Sequence, residues 1–106
     1  MANMSKTENL LQIANLVVNL QTHEVRRGSK IIHLSEQEYK MLELLMKNRG
    51  KVISRNTILD YIWVHSHNIQ TRIVDVYIGY LRKKLDSNTS QKLIYSVRGS
   101  GYMIKV

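Results

Sequence analysis

An α+β chain is predicted: a small four-stranded antiparallel sheet first, three helices next, and a C-terminal β-hairpin last. Three observations predict it. Residues 10–34 are short apolar runs, LLQIA, LVVNLQ and KIIHL, broken by turn residues. Residues 35–50 and 71–86 then carry apolar side chains at helical spacing. Finally, the ending VRGSGYMIKV sets two of the chain's five glycines between short apolar stretches.

Residues 1–9, MANMSKTEN, are polar and lack periodicity. They are expected to be a disordered linker or the remnant of a tag, leaving 10–106 as one domain. In the sheet region, LLQIA and LVVNLQ join near Asn15, and EVRR turns at Gly28 and Ser29 into KIIHL. With 43% hydrophobic and 23% charged residues the chain can build an ordinary core, although phenylalanine is absent.

The helical elements have their own signals. Ser35 with Glu38 three residues on forms a capping box, and Leu34 before it can staple onto Tyr39. Leu42, Leu45 and Met46 continue the stripe from Tyr39, and Asn48 and Gly50 end the helix. KVI (51–53) is an extended link. Ser54 caps a second helix with Ile58, Leu59, Ile62 and Trp63 on one face, and 64–70 is a loop. In the third helix, 71–86, Val74, Ile78, Leu81 and Leu85 stay within about 60° of one another at 100° per residue, which predicts a buried stripe. Arg72, Val76, Gly79, Tyr80 and Lys83 lie on the far side, with Arg82 and Lys84 on the two flanks. Glu36, Glu38 and Glu43 are expected to cap the first helix and line its solvated face.

Charge narrows the function. The chain carries 16 basic and 8 acidic residues, a net +8, and 72–106 holds seven basic against two acidic. A concentrated positive excess suits a polyanion, and equally an acidic protein partner. The Gly99-x-Gly101 pair is not a dinucleotide loop. That fingerprint needs a following helix, whose N-terminus holds the pyrophosphate, and here only five residues follow. The glycines instead supply the positive φ of a tight hairpin that presents Arg98 beside a basic helix. Tyr95 and Tyr102 are expected to pack this hairpin onto the core.

Other chemistry is argued against. There is no cysteine, hence no disulfide or thiolate site. His65 and His67 lack further ligands nearby, and no G-x-S-x-G occurs. Neither an enzyme, a cofactor nor a metal is expected. The apolar run 10–20 is interrupted by Gln12, Asn15 and Asn19 and has no A-x-A site, which argues against a leader or a membrane span. The expected location is the cytoplasm.

Four segments, LSEQEYKMLELLMKNRGKVISR, ILDYIW, VDVYIGYLRKKLD and YSVRGSGYMI, together resemble the C-terminal DNA-binding effector domain of OmpR/PhoB-type response regulators. The resemblance covers about residues 10–106 and implies a winged helix-turn-helix behind a four-stranded sheet. It implies that 71–86 lies in the major groove of double-stranded DNA, with Arg72 near its start and Arg82 toward backbone or base. It places Tyr77 close to phosphate, Ser96 and Arg98 on a wing over 96–102, and Arg98 in the minor groove. Val76, Gly79, Tyr80 and Lys83 belong to the same DNA-facing set, with Lys84 and Lys51 attracting phosphate. Val64, His65, Ser66, His67 and Asn68 match the loop with which members touch RNA polymerase. At Gly79 and Tyr80 the chain departs from the arginine or polar residues many members carry, which leaves the operator sequence open. A receiver domain is expected N-terminal to the segment. A monomer is expected alone, pairing head-to-tail on tandem half-sites. The alternative is a winged-helix module that binds an acidic partner or a polymerase subunit.

Overall fold

The computed structural model describes residues 9–64, 69–87 and 89–106. Strands β1 (Leu10–Ile13), β2 (Leu16–Asn19), β3 (Val25–Arg27) and β4 (Lys30–Ile32) form an antiparallel sheet in chain order. Ile13 pairs with Leu16 across the first turn, and Arg27 pairs with Lys30 across the Gly28-Ser29 turn. Gly28 takes φ +65° there, and its N–H donates to the Asn15 carbonyl at 2.8 Å, so the two turns brace each other. Ile13, Leu16, Val18, Val25 and Ile32 face the core, while Leu10 and Ile31 face outward. Beside the first strand, the Asn9 carbonyl accepts from the Leu20 N–H at 2.7 Å.

Helix α1 runs Glu36–Lys47, and both halves of its capping box form: Glu38 N–H donates to Ser35 Oγ at 3.2 Å, and Ser35 N–H to Glu38 Oε1 at 2.8 Å. Tyr39, Leu42, Leu45 and Met46 are buried, as their spacing required. Helix α2 is Arg55–Ile62, and Ser54 Oγ accepts from the Thr57 N–H at 3.1 Å. Helix α3 is Arg72–Leu85, and its buried residues are Val74, Ile78, Leu81 and Leu85. Strands β5 (Ile94–Val97) and β6 (Gly101–Ile104) close the chain as a hairpin. The three helices pack on one another, and α1 also packs against β1 and β6. None of the described helices is long and apolar enough to cross a membrane.

The expectation that Glu38 lies on a solvated face is corrected. Its residue is 4% exposed, and its Oε1 accepts from Lys84 Nζ at 2.6 Å, joining α1 to α3. Burial alone pushes the Glu38 carboxyl up; the hydrogen bonds from Lys84 and Ser35 and the lysine charge outweigh it and leave the carboxyl below its ordinary 4.5. A folded value below the unfolded one means the contribution is complete above the unfolded value and is lost as pH falls through the folded one. Stability should therefore drop on acidification below about pH 4.5. Glu38→Gln should be less stable at neutral pH and show a shallower drop, read from urea midpoints between neutral pH and about pH 3. Equal steepness in both proteins would remove Glu38 as the source.

A fully buried ion pair ties the sheet to the helices. Arg27 and Asp86, 9% and 3% exposed, meet at 3.0 Å. Arg27 also donates to the Leu85 and Gln91 carbonyls and to Asn15 Oδ1, each at 2.7 Å. Asp86 Oδ2 accepts from the Leu93 and Ile94 N–H groups, each at 3.2 Å. One knot thus holds β3, the C-terminal end of α3 and the entry to β5. Lys92 and Leu93 lead into β5: Lys92 Nζ donates to the Asp86 carbonyl and the Leu93 N–H turns to the Asp86 carboxylate.

Candidate nucleic-acid interface

The exposed face of α3 follows from its buried one. With Val74, Ile78, Leu81 and Leu85 turned inward, Arg72, Val76, Gly79, Tyr80 and Lys83 all lie on the solvent side. Tyr77, on the flank, is half-buried; its ring meets those of Trp63 and Tyr80 edge-on, each with centroids 5.3 Å apart. Arg82, on the other flank, is half-buried and turns to the hairpin. Its Nη2 donates to Ser96 Oγ at 2.7 Å, its Nε to the Ile94 carbonyl at 3.4 Å, and its guanidinium stands 5.7 Å from the centre of the Tyr102 ring. These bonds hold the helix and the hairpin side by side.

Three chain segments converge in one cleft. Ser54, Arg55 and Asn56 at the start of α2, Thr71 at the start of α3, and Ser96 to Tyr102 of the hairpin line it. Arg98 is exposed on the hairpin turn. The start of α3 and the arginine-bearing turn therefore share one side of the molecule. Asp75 fastens the arrangement: its Oδ1 accepts from Arg55 Nε at 2.9 Å and from the Tyr102 hydroxyl. Tyr102 is buried and packs the hairpin on the core as expected; Tyr95 does not join the core but is half-buried, its hydroxyl donating to the Lys92 carbonyl at 2.9 Å and its ring facing the Lys105 ammonium at 5.1 Å.

The remaining expected residues fall elsewhere. Lys51 is exposed on the turn between α1 and α2, outside the cleft lining. Lys84 has its ammonium on Glu38, so it serves the fold as a cross-link between helices. Val64 is exposed, whereas His65, Ser66, His67 and Asn68 lie outside the described residues.

A known family matches this architecture. The family model described as "Transcriptional regulatory protein, C terminal" matches residues 28–104, from the turn before β4 to the last residue of β6. The chain belongs to this family, the OmpR/PhoB-type C-terminal domains. Among its relatives, the uncharacterized transcriptional regulatory protein YkoG of Bacillus subtilis is 42% identical over 106 residues, covering 97% of this chain and 46% of the relative. The phosphate regulon transcriptional regulatory protein PhoB of Rhizobium meliloti is 38% identical over 96 residues, 91% of this chain and 42% of that protein. The chain thus spans less than half the length of these curated relatives. The RstA DNA-binding domain of Klebsiella pneumoniae, solved in complex with the RstA box, superposes with a TM-score of 0.80 at 28% identity, covering 91% of this chain and 96% of that one. The OmpR/PhoB homologue DrrB of Thermotoga maritima shares the fold, with a TM-score of 0.83 at 24% identity over 99% of this chain and 52% of that one.

Within this effector-domain frame, Arg55, Asn56 and Thr71 are the cleft residues that sequence reasoning missed. Arg55 had a signal. A cation in the first turn of a helix opposes the helix dipole, so its presence there asks for another reason. Asp75 is one such reason, and the cleft is another.

Proposed function

We propose that this domain binds double-stranded DNA sequence-specifically, as the effector end of a two-component response regulator in the cytoplasm. The observation that carries it is the shared side of α3 and the hairpin turn, fastened by Arg82 on Ser96 and lined by Arg55, Thr71 and Arg98. A duplex presents two neighbouring grooves: α3 enters the major groove with Arg72 leading, and Arg98 reaches the adjacent minor groove. Lys83 and Lys51 attract phosphates at the edges, and Tyr77 lies toward the backbone. Arg82 acts by fixing the angle between helix and wing. The RstA domain bound to its box supports this reading, as does the family match.

Full-length relatives more than twice as long as the matched span support a receiver domain N-terminal to this one. Head-to-tail pairing on tandem half-sites belongs to the same reading. A protein contact at 64–68, with RNA polymerase as partner, is favoured by the exposed Val64 and Tyr61 at the end of α2.

The test is a titration of labelled duplexes at two salt concentrations. Affinity should fall with salt at a log–log slope of about 0.9 per phosphate neutralised. Arg72→Ala should cost about 1–3 kcal/mol on a selected site and much less on random duplex, as expected of a base contact. Equal weakening of both duplexes would reassign Arg72 to the backbone. Absence of duplex binding near physiological salt, with tight binding to a protein partner, would replace the DNA reading by the protein-module one.

A further inference from the structure

We propose that the exposed stripe of α3 selects thymine by its C5-methyl group, with Val76 and Tyr80 as the specificity-determining contacts and Gly79 as the point of close approach. This rests on the DNA-binding reading and names the base it reads. Val76 and Tyr80 are 42% and 49% exposed, one helical turn apart at the middle of the stripe. Arg72 and Lys83 stand at its two ends. Neither apolar side chain serves the core, which α3 supplies from the opposite face.

Base edges in the major groove differ in what they offer. Guanine presents two acceptors, adenine an acceptor and a donor, cytosine a donor, and thymine an acceptor with a methyl group. A valine has no donor or acceptor, so opposite guanine, adenine or cytosine it would desolvate a polar edge without replacing its hydrogen bond. Opposite thymine it covers a methyl. The cationic ends supply the attraction that brings the stripe to the groove. Tyr80 is braced for this contact, since its ring rests edge-on against Tyr77, which rests in turn against Trp63. A braced ring loses little rotamer freedom on binding.

Gly79 completes the case. Its φ lies outside the positive region, and a Cβ built there would meet nothing within 4 Å, so the fold imposes no glycine. Inside a helix glycine is less favourable than alanine. Its bare backbone does give something to a partner: it lets the helix axis come nearer to the base edges on that side.

The experiment selects bound sequences from a random duplex pool with the full 106-residue chain and then edits the selected site. Thymines should recur at two or more positions under the stripe. Replacing each by deoxyuridine, which lacks the methyl, should weaken binding about four-fold, the equivalent of one buried methyl group. Val76→Ala should bind thymine and deoxyuridine duplexes alike at one of those positions, and Tyr80→Ala at another. Gly79→Ala should raise the thermal midpoint and weaken binding to the selected site. A bound site at which every deoxyuridine exchange is neutral overturns the thymine inference and leaves DNA binding standing. Failure to recover any bound duplex overturns both.

Discussion

Asp86→Ala is expected to lower the unfolding free energy by about 3–5 kcal/mol, because it leaves a buried guanidinium without its counter-charge. For a domain of this size that is a fall in thermal midpoint on the order of 15 °C or more. The carboxylate has two jobs. Oδ1 faces Arg27 at 3.0 Å, and Oδ2 holds the N–H groups of Leu93 and Ile94 at 3.2 Å each. Removing it strands one charge and two buried donors together. Asp86→Asn should recover part of the loss, since an amide oxygen still accepts from the two N–H groups. The apolar double variant Arg27→Met/Asp86→Leu should not reach wild-type stability. Buried ion pairs can often be replaced by apolar residues, but here both members bond backbone groups that substitution cannot remove: the Leu85 and Gln91 carbonyls for Arg27, the two N–H groups for Asp86. Chemical denaturation with a double-mutant cycle measures this. A double variant as stable as wild type would mean those backbone groups find other partners.

That pair also shows where sequence reading stops. Capping boxes, amphipathic stripes and tight turns are settled by residues three or four apart, so Ser35 with Glu38, the α3 stripe and the Gly28 turn were legible. In EVRR, Arg27 looks like its neighbour Arg26. Only the strand pleat and a helix end 58 residues away make one buried and the other exposed. Lys84 reads as a phosphate cation because it follows Arg82 and Lys83; its partner Glu38 lies 46 residues earlier. The exposed stripe of α3 was legible as the complement of its buried face. The cleft beside it was not, since Arg55 and Asn56 come to line it with Arg98 through contacts between distant residues: the bridge between Ile53 and Tyr102, and Asp75 bonded to both Arg55 and Tyr102.

Gly101→Ala is the other large expected effect, at about 3–4 kcal/mol of destabilisation. Both glycines of the hairpin have positive φ, +77° at Gly99 and +146° at Gly101, but their surroundings differ. A Cβ at Gly99 meets nothing within 4 Å, so Gly99→Ala carries only the backbone penalty, about 1–2 kcal/mol. A Cβ at Gly101 would lie 2.0 Å from the Ile53 carbonyl oxygen and 2.9 Å from Ser54 Cα. These are backbone atoms that no rotamer change moves away. Relief requires the hairpin to retreat from 53–54, and that breaks the paired bonds between Ile53 and Tyr102 at 2.8 and 3.0 Å. Retreat has a functional cost as well. Ser54 caps α2, and Tyr102 reaches Asp75 on α3, so the hairpin, the cleft and α3 lose their common reference. Gly101→Ala protein that remains folded should therefore bind duplex more weakly than Gly99→Ala protein. Urea unfolding and duplex titration of the two variants side by side decide it. Equal destabilisation would show that positive φ alone accounts for both glycines and that the contact with 53–54 yields without loss.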